Sequence, residues 1–174
     1  MDNGNYTTEV QKSLAEAQKV AINRKHQEIG INELFKVLVQ PGEIAAEIYK
    51  KAGLDIQAFE SFIDGELDKV SVVEGGNVQY GQSISQQLFS LLQKAQEIAK
   101  SNQDTYVSVD TLMLALMELE YNPLTEYLKQ TGLTKDQLGK VVADYRGGER
   151  VTSQDQEKGY KSLEKYGVNL NKEV

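Results

Sequence analysis

Cysteine is absent from the 174 residues, which excludes disulfides, thiolate zinc sites and a cysteine nucleophile and suits a reducing compartment. Histidine occurs once, as His26, in a stretch expected to be a solvated loop. A Ser-His-Asp triad would have to use it, yet Gly81-Gln82-Ser83-Ile84-Ser85 ends in serine where a nucleophile elbow needs its closing glycine. One histidine leaves no helical pair for zinc, and no run of alternating acids closes on the glutamate of a calcium loop. Gly139-Lys140-Val141 lacks the upstream glycine and the hydroxyl residue of a phosphate loop, and Gly75, Gly76 and Gly81 match no nucleotide fingerprint. Acids are plentiful, but a general acid and base need a shaped, water-poor pocket that spacing alone does not reveal. The chain is therefore expected to be no enzyme and to hold no metal or cofactor.

Long apolar runs are missing too: nothing approaches the roughly 18 residues of a membrane span, and Met1-Asp2-Asn3-Gly4-Asn5 is too polar for a signal peptide. A soluble, cytoplasmic protein without a membrane partner is expected. A basic surplus is also lacking. Nineteen Lys and Arg stand against 26 Asp and Glu, for a net charge of −7 and a pI near 4.9, and phosphate binding draws on clustered cations, so nucleic acid is not an expected partner. From Gly147 onward five acids balance five bases, so the whole excess lies in the first 146 residues.

What is present is a repeat. Ala17-Gln18-Lys19-Val20-Ala21 lies over Ala95-Gln96-Glu97-Ile98-Ala99 at an offset of 78, which also pairs Leu14 with Leu92, Ile29 with Val107, Leu34 with Leu112 and Leu38 with Leu116. One extra residue moves the offset to 79, and then Glu47 falls on Glu126, Lys50 on Lys129 and Gly53-Leu54 on Gly132-Leu133. Apolar positions persist while exposed ones drift. The period is too long for a stacked solenoid, whose repeats run at roughly 20 to 50 residues, so each half is a small helical unit that needs its twin to close a core.

The chain in order predicts about eight helices. The first runs over Tyr6–Arg24, with Val10, Leu14, Ala17 and Ala21 on one face. Ile31–Val39 resumes the helical period until Pro41-Gly42 breaks it. Glu43–Ala52 follows and ends at Gly53, suited to the left-handed conformation past a helix, and Asp55 can cap a fourth helix over Ile56–Leu67. Asp68–Gln82 carries no helical period and is the connector. Ser83-x-x-Gln86 has capping-box form for a fifth helix, Ile84–Asn102. A sixth covers Val109–Leu119, Asn122-Pro123 starts a seventh that stops before Gly132, and Thr134-x-x-Gln137 caps a last one to Tyr145. The fold class is all-α: repeat one over 6–67, repeat two over 84–145, together a domain of residues 1–146. Residues 147–174 form a polar linker, too poor in apolar residues to fold alone, with one helix expected around Gln156–Lys165.

This combination resembles the N-terminal Clp repeat domain of the ClpB-type AAA+ disaggregases. Arg146-Gly147-Gly148-Glu149-Arg150-Val151 and Leu163-Glu164-Lys165-Tyr166-Gly167-Val168-Asn169-Leu170 look like that family's connector into its first ATPase module. The resemblance implies a heat-shock, stress-response chaperone whose full-length form is a homo-hexamer threading aggregated protein through its pore, with an Hsp70 (DnaK) system upstream. It further implies that this chain is a piece of a longer protein, monomeric by itself, and that ATP and magnesium belong to the AAA+ modules beyond it. The implied task is recognition of unfolded or aggregated polypeptide. The alternative is docking of one folded adaptor, as in ClpA.

The same resemblance points to Thr7, Asp104 and Asp110 as substrate contacts. From the residues alone, Thr7 equally caps the first helix, and Asp110 is an acid favoured at a helix start. ClpC relatives carry Gly-Thr-Glu-His in each repeat to hold phosphoarginine; Gly30-Ile31-Asn32-Glu33 and Ser108-Val109-Asp110-Thr111 keep neither motif, so no phosphoarginine receptor is expected. Two lobes related by a pseudo-twofold axis leave a seam where apolar residues not consumed by the core gather. Leu91, Leu112 and Met113, with Phe35, are the candidates for it, seam or core being undecided by helix phase.

Overall fold

A computed structural model describes residues 5–72 and 74–157. Its helices are α1 (Thr8–Asn23), α2 (Ile31–Leu38), α3 (Ile44–Lys51), α4 (Ile56–Asp68), α5 (Gln86–Ser101), α6 (Val109–Leu116), α7 (Pro123–Gln130) and α8 (Lys135–Arg146), with two-residue strands β1 (Glu28–Ile29) and β2 (Ser83–Ile84). The all-α, twice-repeated architecture is the one the periodicity predicts. Most boundaries fall within two residues of expectation. The exception is α6, which stops at Leu116 because Glu118 N–H and Leu119 N–H reach back only three residues, to Ala115 O and Leu116 O, and tighten the chain into a turn.

Local chemistry sets the ends. Thr7, Asp55, Asn122 and Thr134 accept from main-chain N–H groups of α1, α4, α7 and α8, and the Thr134/Gln137 capping box closes in both directions. Gly53 and Gly132 follow α3 and α7 at φ 91° and 95°, as their repeat positions require. The cap of α5 is Ser85 rather than Ser83, since its hydroxyl accepts from Leu88 N–H. Ser83 and Ile84 are instead taken by β2, whose pairing with β1 removes them from the helix.

The duplication is visible in individual hydrogen bonds. Ile29 pairs with Ile84 and Tyr6 with Val107, all parallel, and the offset of 78 carries one pair onto the other. Thr7 N–H donates to Val107 O at 3.0 Å as Ser85 N–H does to Ile29 O at 2.9 Å. His26 N–H and Asp104 N–H close the loops after α1 and α5 on Ala21 O and Ala99 O, both at 2.8 Å, with Lys25 and Gln103 left-handed just before them. One core runs through both repeats. Across it Tyr127 of α7 stacks on Phe59 and Phe62 of α4 at 5.5 and 4.5 Å, while Tyr49 meets Phe59 edge-on. Among the described residues no helix is long and apolar enough to cross a membrane.

Residues 147–157 of the expected linker lie against the repeats, with Val151 and Glu157 buried. The helix expected over Gln156–Lys165, and the second connector segment from Leu163 to Leu170, lie largely or wholly outside the described residues.

Candidate functional site

The pseudo-twofold axis emerges in a groove of about 620 Å³ between α1 and α5. Its lining repeats itself: Tyr6 and Ile84, Gln11 and Phe89, Leu14 and Leu92, and Gln18 and Gln96 all line it, each pair at the offset of 78. Polar ends hold the walls. Gln96 Nε2 donates to the Tyr6 hydroxyl at 2.9 Å, and Gln18 Nε2 donates to Gly81 O at 2.7 Å. Gly81 has φ 63°, and a Cβ there would stand 3.1 Å from Ile22 and 3.2 Å from Gln18 O, so the connector can hug α1 only with glycine at this point. One pair sets a polar side chain against an apolar one. Where α1 presents Gln11, α5 presents Phe89, 48% exposed.

This groove is the seam between the repeats, but other residues line it than those expected. Leu91, Leu112, Met113 and Phe35 have no exposure at all. They stand on the faces that α5, α6 and α2 turn toward each other and are consumed by the core. Sequence reasoning missed Phe89 and Ile84. The available signal was phase: Phe89 follows Leu88 directly and falls outside the Leu88, Leu91, Leu92, Ala95 stripe of α5, so burial with that stripe cannot account for it.

Asp104 and Asp110 come together around Arg146 at the end of α8, while Thr7 is bonded to Glu157. Arg146 Nε donates to Asp110 Oδ2 at 2.5 Å, Nη2 to Asp110 Oδ1 at 3.0 Å and Nη1 to Asp104 Oδ1 at 3.1 Å. All three side chains are nearly buried. Burial works against the guanidinium charge, but hydrogen bonds and charge from Asp110 and Asp104 outweigh it and hold the Arg146 pKa above its ordinary value. Ser108 donates to Asp110 as well. Thr7 does cap α1, accepting from Val10 N–H at 3.2 Å, and its hydroxyl also meets the carboxylate of Glu157. The other Glu157 oxygen accepts from Val109 N–H, at the start of α6, at 2.8 Å.

His26 is not a solvated side chain. It is 2% exposed, with Nδ1 2.6 Å from Glu33 Oε2, while Glu33 Oε1 accepts from Gly30 N–H at 2.9 Å. Gly30 has no side chain to cap α2, so Glu33 does it from the third helical position and His26 completes the carboxylate's partners. These residues border a larger cleft of about 1030 Å³, lined mostly by residues of polar type that include Asn32, Asn77, Gln82 and Ser85.

The fold and the site together define a duplicated helical domain with a groove between its repeats. The model of the Clp repeat N-terminal domain matches residues 5–131, and the chain belongs to that family. The chaperone protein ClpB of Enterococcus faecalis is 51% identical over 168 residues, a match that takes in 97% of this chain and 19% of that protein. The chain thus spans about a fifth of the length of this curated relative. Among solved structures, the Hsp104 N-terminal domain from Candida albicans superposes with a TM-score of 0.72 at 21% identity, over 86% of this chain and 97% of that one. A ClpV N-domain in complex with a VipB peptide gives 0.60 at 21% identity, over 80% and 85%. At those identities the likeness is one of fold.

Proposed function

We propose that this domain is the client-recognition module of an ATP-dependent disaggregase chaperone, non-catalytic itself, weakly binding unfolded or aggregated polypeptide and passing it to the pore of a hexamer. The observation that carries the reading is Phe89, half exposed on the wall of the seam groove beside Ile84, Leu14 and Leu92. A large apolar side chain held open on a concave surface is spent on a partner rather than on the core. The ClpB relatives support the chaperone context, and the fold shared with a peptide-bound ClpV N-domain supports the polypeptide ligand. Thr7, Asp104 and Asp110 are the proposed polar contacts. ATP and magnesium belong, in this reading, to AAA+ modules of the parent protein, with an Hsp70 (DnaK) system delivering clients in the cytoplasm.

Capture of two or three leucine-sized side chains contributes about 1.5 to 3 kcal/mol each, against an association cost of roughly 4 kcal/mol or more. The net is at most about 5 kcal/mol, so a single domain binds no tighter than about 0.2 mM. Six tethered domains raise the apparent affinity by about 10² to 10⁴ where the tether spans the sites, and weak single contacts suit a client that has to be released. Titrating ¹⁵N-labelled chain with carboxymethylated α-lactalbumin, a permanently unfolded protein, should move the amides of Ala15, Ile84, Phe89 and Leu92. Absence of any movement at about 1 mM client would sink the reading.

The larger polar cleft around Asn32, Asn77 and Gln82 favours a second reading, docking of one folded adaptor. A pull-down returning a single stoichiometric folded protein and no unfolded clients is the result that would select it.

A further inference from the structure

The segment after α8 and the segment after α4 are repeat equivalents in different positions. The offset of 79 places Val72 opposite Val151, yet Val72 is 55% exposed and Val151 is fully buried. After α4 the chain swings out and borders the polar cleft with Ser71, Asn77 and Gln79. After α8 it lies down. Thr105 N–H donates to Val151 O at 2.7 Å, Val151 N–H to Asp104 Oδ1 at 2.9 Å and Thr8 N–H to Gln154 O at 2.8 Å. Thr8 Oγ1 meets Asp155 at 2.8 Å, Gln154 Nε2 reaches Tyr6 O at 3.2 Å, and Glu157 ends the run on Thr7 and Val109 N–H.

This segment is seated between the N-termini of α1 and α6, irregular at Val151 and Thr152 and turning over residues 153–157. Its anchors are main-chain bonds, one valine and one carboxylate. The equivalent groove in repeat one offers the same two groups, the Ser85 hydroxyl and the N-terminus of α2 at Ile31, and stands open as part of the polar cleft. One fold therefore shows the groove both filled and free, and Tyr6, which lines the seam groove and accepts from Gln154, joins the filled groove to the seam.

We propose that residues 149–157 are a displaceable strap occupying this groove in cis, and that the groove, once vacated, takes a client segment bearing a carboxylate side chain. The proposal rests on the client-recognition reading and adds its regulation: Thr7, Asp104 and Asp110 meet a client only when the strap leaves. The hold on the strap depends on pH. Burial pushes the Glu157 carboxyl up to about 8, with the charge of Asp110 on α6 adding to it, the Thr7 and Val109 hydrogen bonds opposing it, and Glu9 on α1 adding further. Arg146 of α8 faces the same site but is engaged by Asp110 and Asp104, and Asp155 lies on the strap itself beside Thr8. A carboxyl raised from its ordinary 4.5 supports docking fully below that value and loses the contribution as pH rises through about 8.

The test uses the cysteine-free chain carrying Thr8→Cys and Asp155→Cys, whose native side chains touch, so that oxidation locks the strap and reduction frees it. The probe is a fluorescein-labelled peptide of residues 149–157, supplied in trans at pH 6.5, with Val151→Asp as a second, permanently released variant. The reduced and Val151→Asp forms should bind the peptide at least about tenfold tighter than the locked form, because affinity scales with the open fraction. In the unsubstituted chain the Val109 amide should report opening that grows by up to about tenfold per pH unit between pH 5 and 8, and Glu157→Gln should abolish that trend. Equal peptide binding by locked and reduced forms, or none by a folded Val151→Asp chain, overturns the strap. Binding of carboxymethylated α-lactalbumin that depends on Phe89 but ignores the lock also overturns it, while leaving the client-recognition reading intact.

Discussion

Gln11 and Phe89 occupy equivalent positions in the two repeats and line the same groove. The duplication made the walls alike; this pair makes them different. Phe89→Ser should weaken binding of an unfolded client by about tenfold or more, the worth of a buried phenyl group. Because Phe89 is already half exposed, chemical denaturation should move by no more than about 0.5 kcal/mol. Gln11→Leu should strengthen client binding several-fold while costing about 1 kcal/mol of stability, since Gln11 Nε2 donates to Tyr6 O at 3.0 Å. Isothermal titration alongside urea melts separates the two effects.

Arg146 neutralises two nearly buried aspartates at once. Arg146→Met strands both, and the expected loss is about 3 to 5 kcal/mol, read as a lower midpoint in urea. Arg146→Lys should recover only part of it, because an ammonium cannot present the fork that reaches Asp110 through two nitrogens and Asp104 through a third.

Two glycines should respond in opposite directions. Gly81→Ala forces a Cβ against Ile22 and Gln18 at a φ of 63°, and should cost about 1 to 3 kcal/mol. Gly65 lies inside α4 with open space around it, so Gly65→Ala should stabilise by about 0.5 to 1 kcal/mol. Calorimetric melting of the two variants beside the parent decides both.

Lys36 bridges α2 to α4 through Glu60 and Asp64, both at 2.9 Å. The Lys36 hydrogen bond, followed by that of Gln40, holds the Glu60 carboxyl below its ordinary range. A depressed carboxyl contributes stability above its unfolded value and loses it as pH falls through the folded one. Lys36→Met should therefore cost under about 1 kcal/mol at neutral pH, the groups being partly solvated, and should flatten the fall in stability below pH 4.5. Urea midpoints measured from pH 3 to pH 7 test the difference.

Helices, caps and duplication were legible because each is written in neighbouring residues. The i, i+4, i+7 stripe of α1, the Thr134/Gln137 box and the glycines after α3 and α7 depend on contacts spanning a few positions, and repeating them at a fixed offset doubles the signal. Helix phase also says which face of α5 turns inward. It does not say what that face meets, so Leu91, Leu112 and Met113 could not be told apart from groove residues, and the one apolar residue off the stripe, Phe89, carried the information. His26 was misread for the same reason: its burial depends on a left-handed Lys25 and on a Glu33 carboxylate returning from α2.

The amino-acid order alone determined that this protein is two copies of a helical unit, where most helices start and stop to within two residues, and that their meeting would leave a seam. Only the tertiary structure decided which side chains line that seam and that Glu157 lies down on Thr7, 150 positions away. Local order encodes what a few consecutive residues can satisfy among themselves. Polar bonds between distant segments follow no period, and their partners become neighbours only after the core has closed.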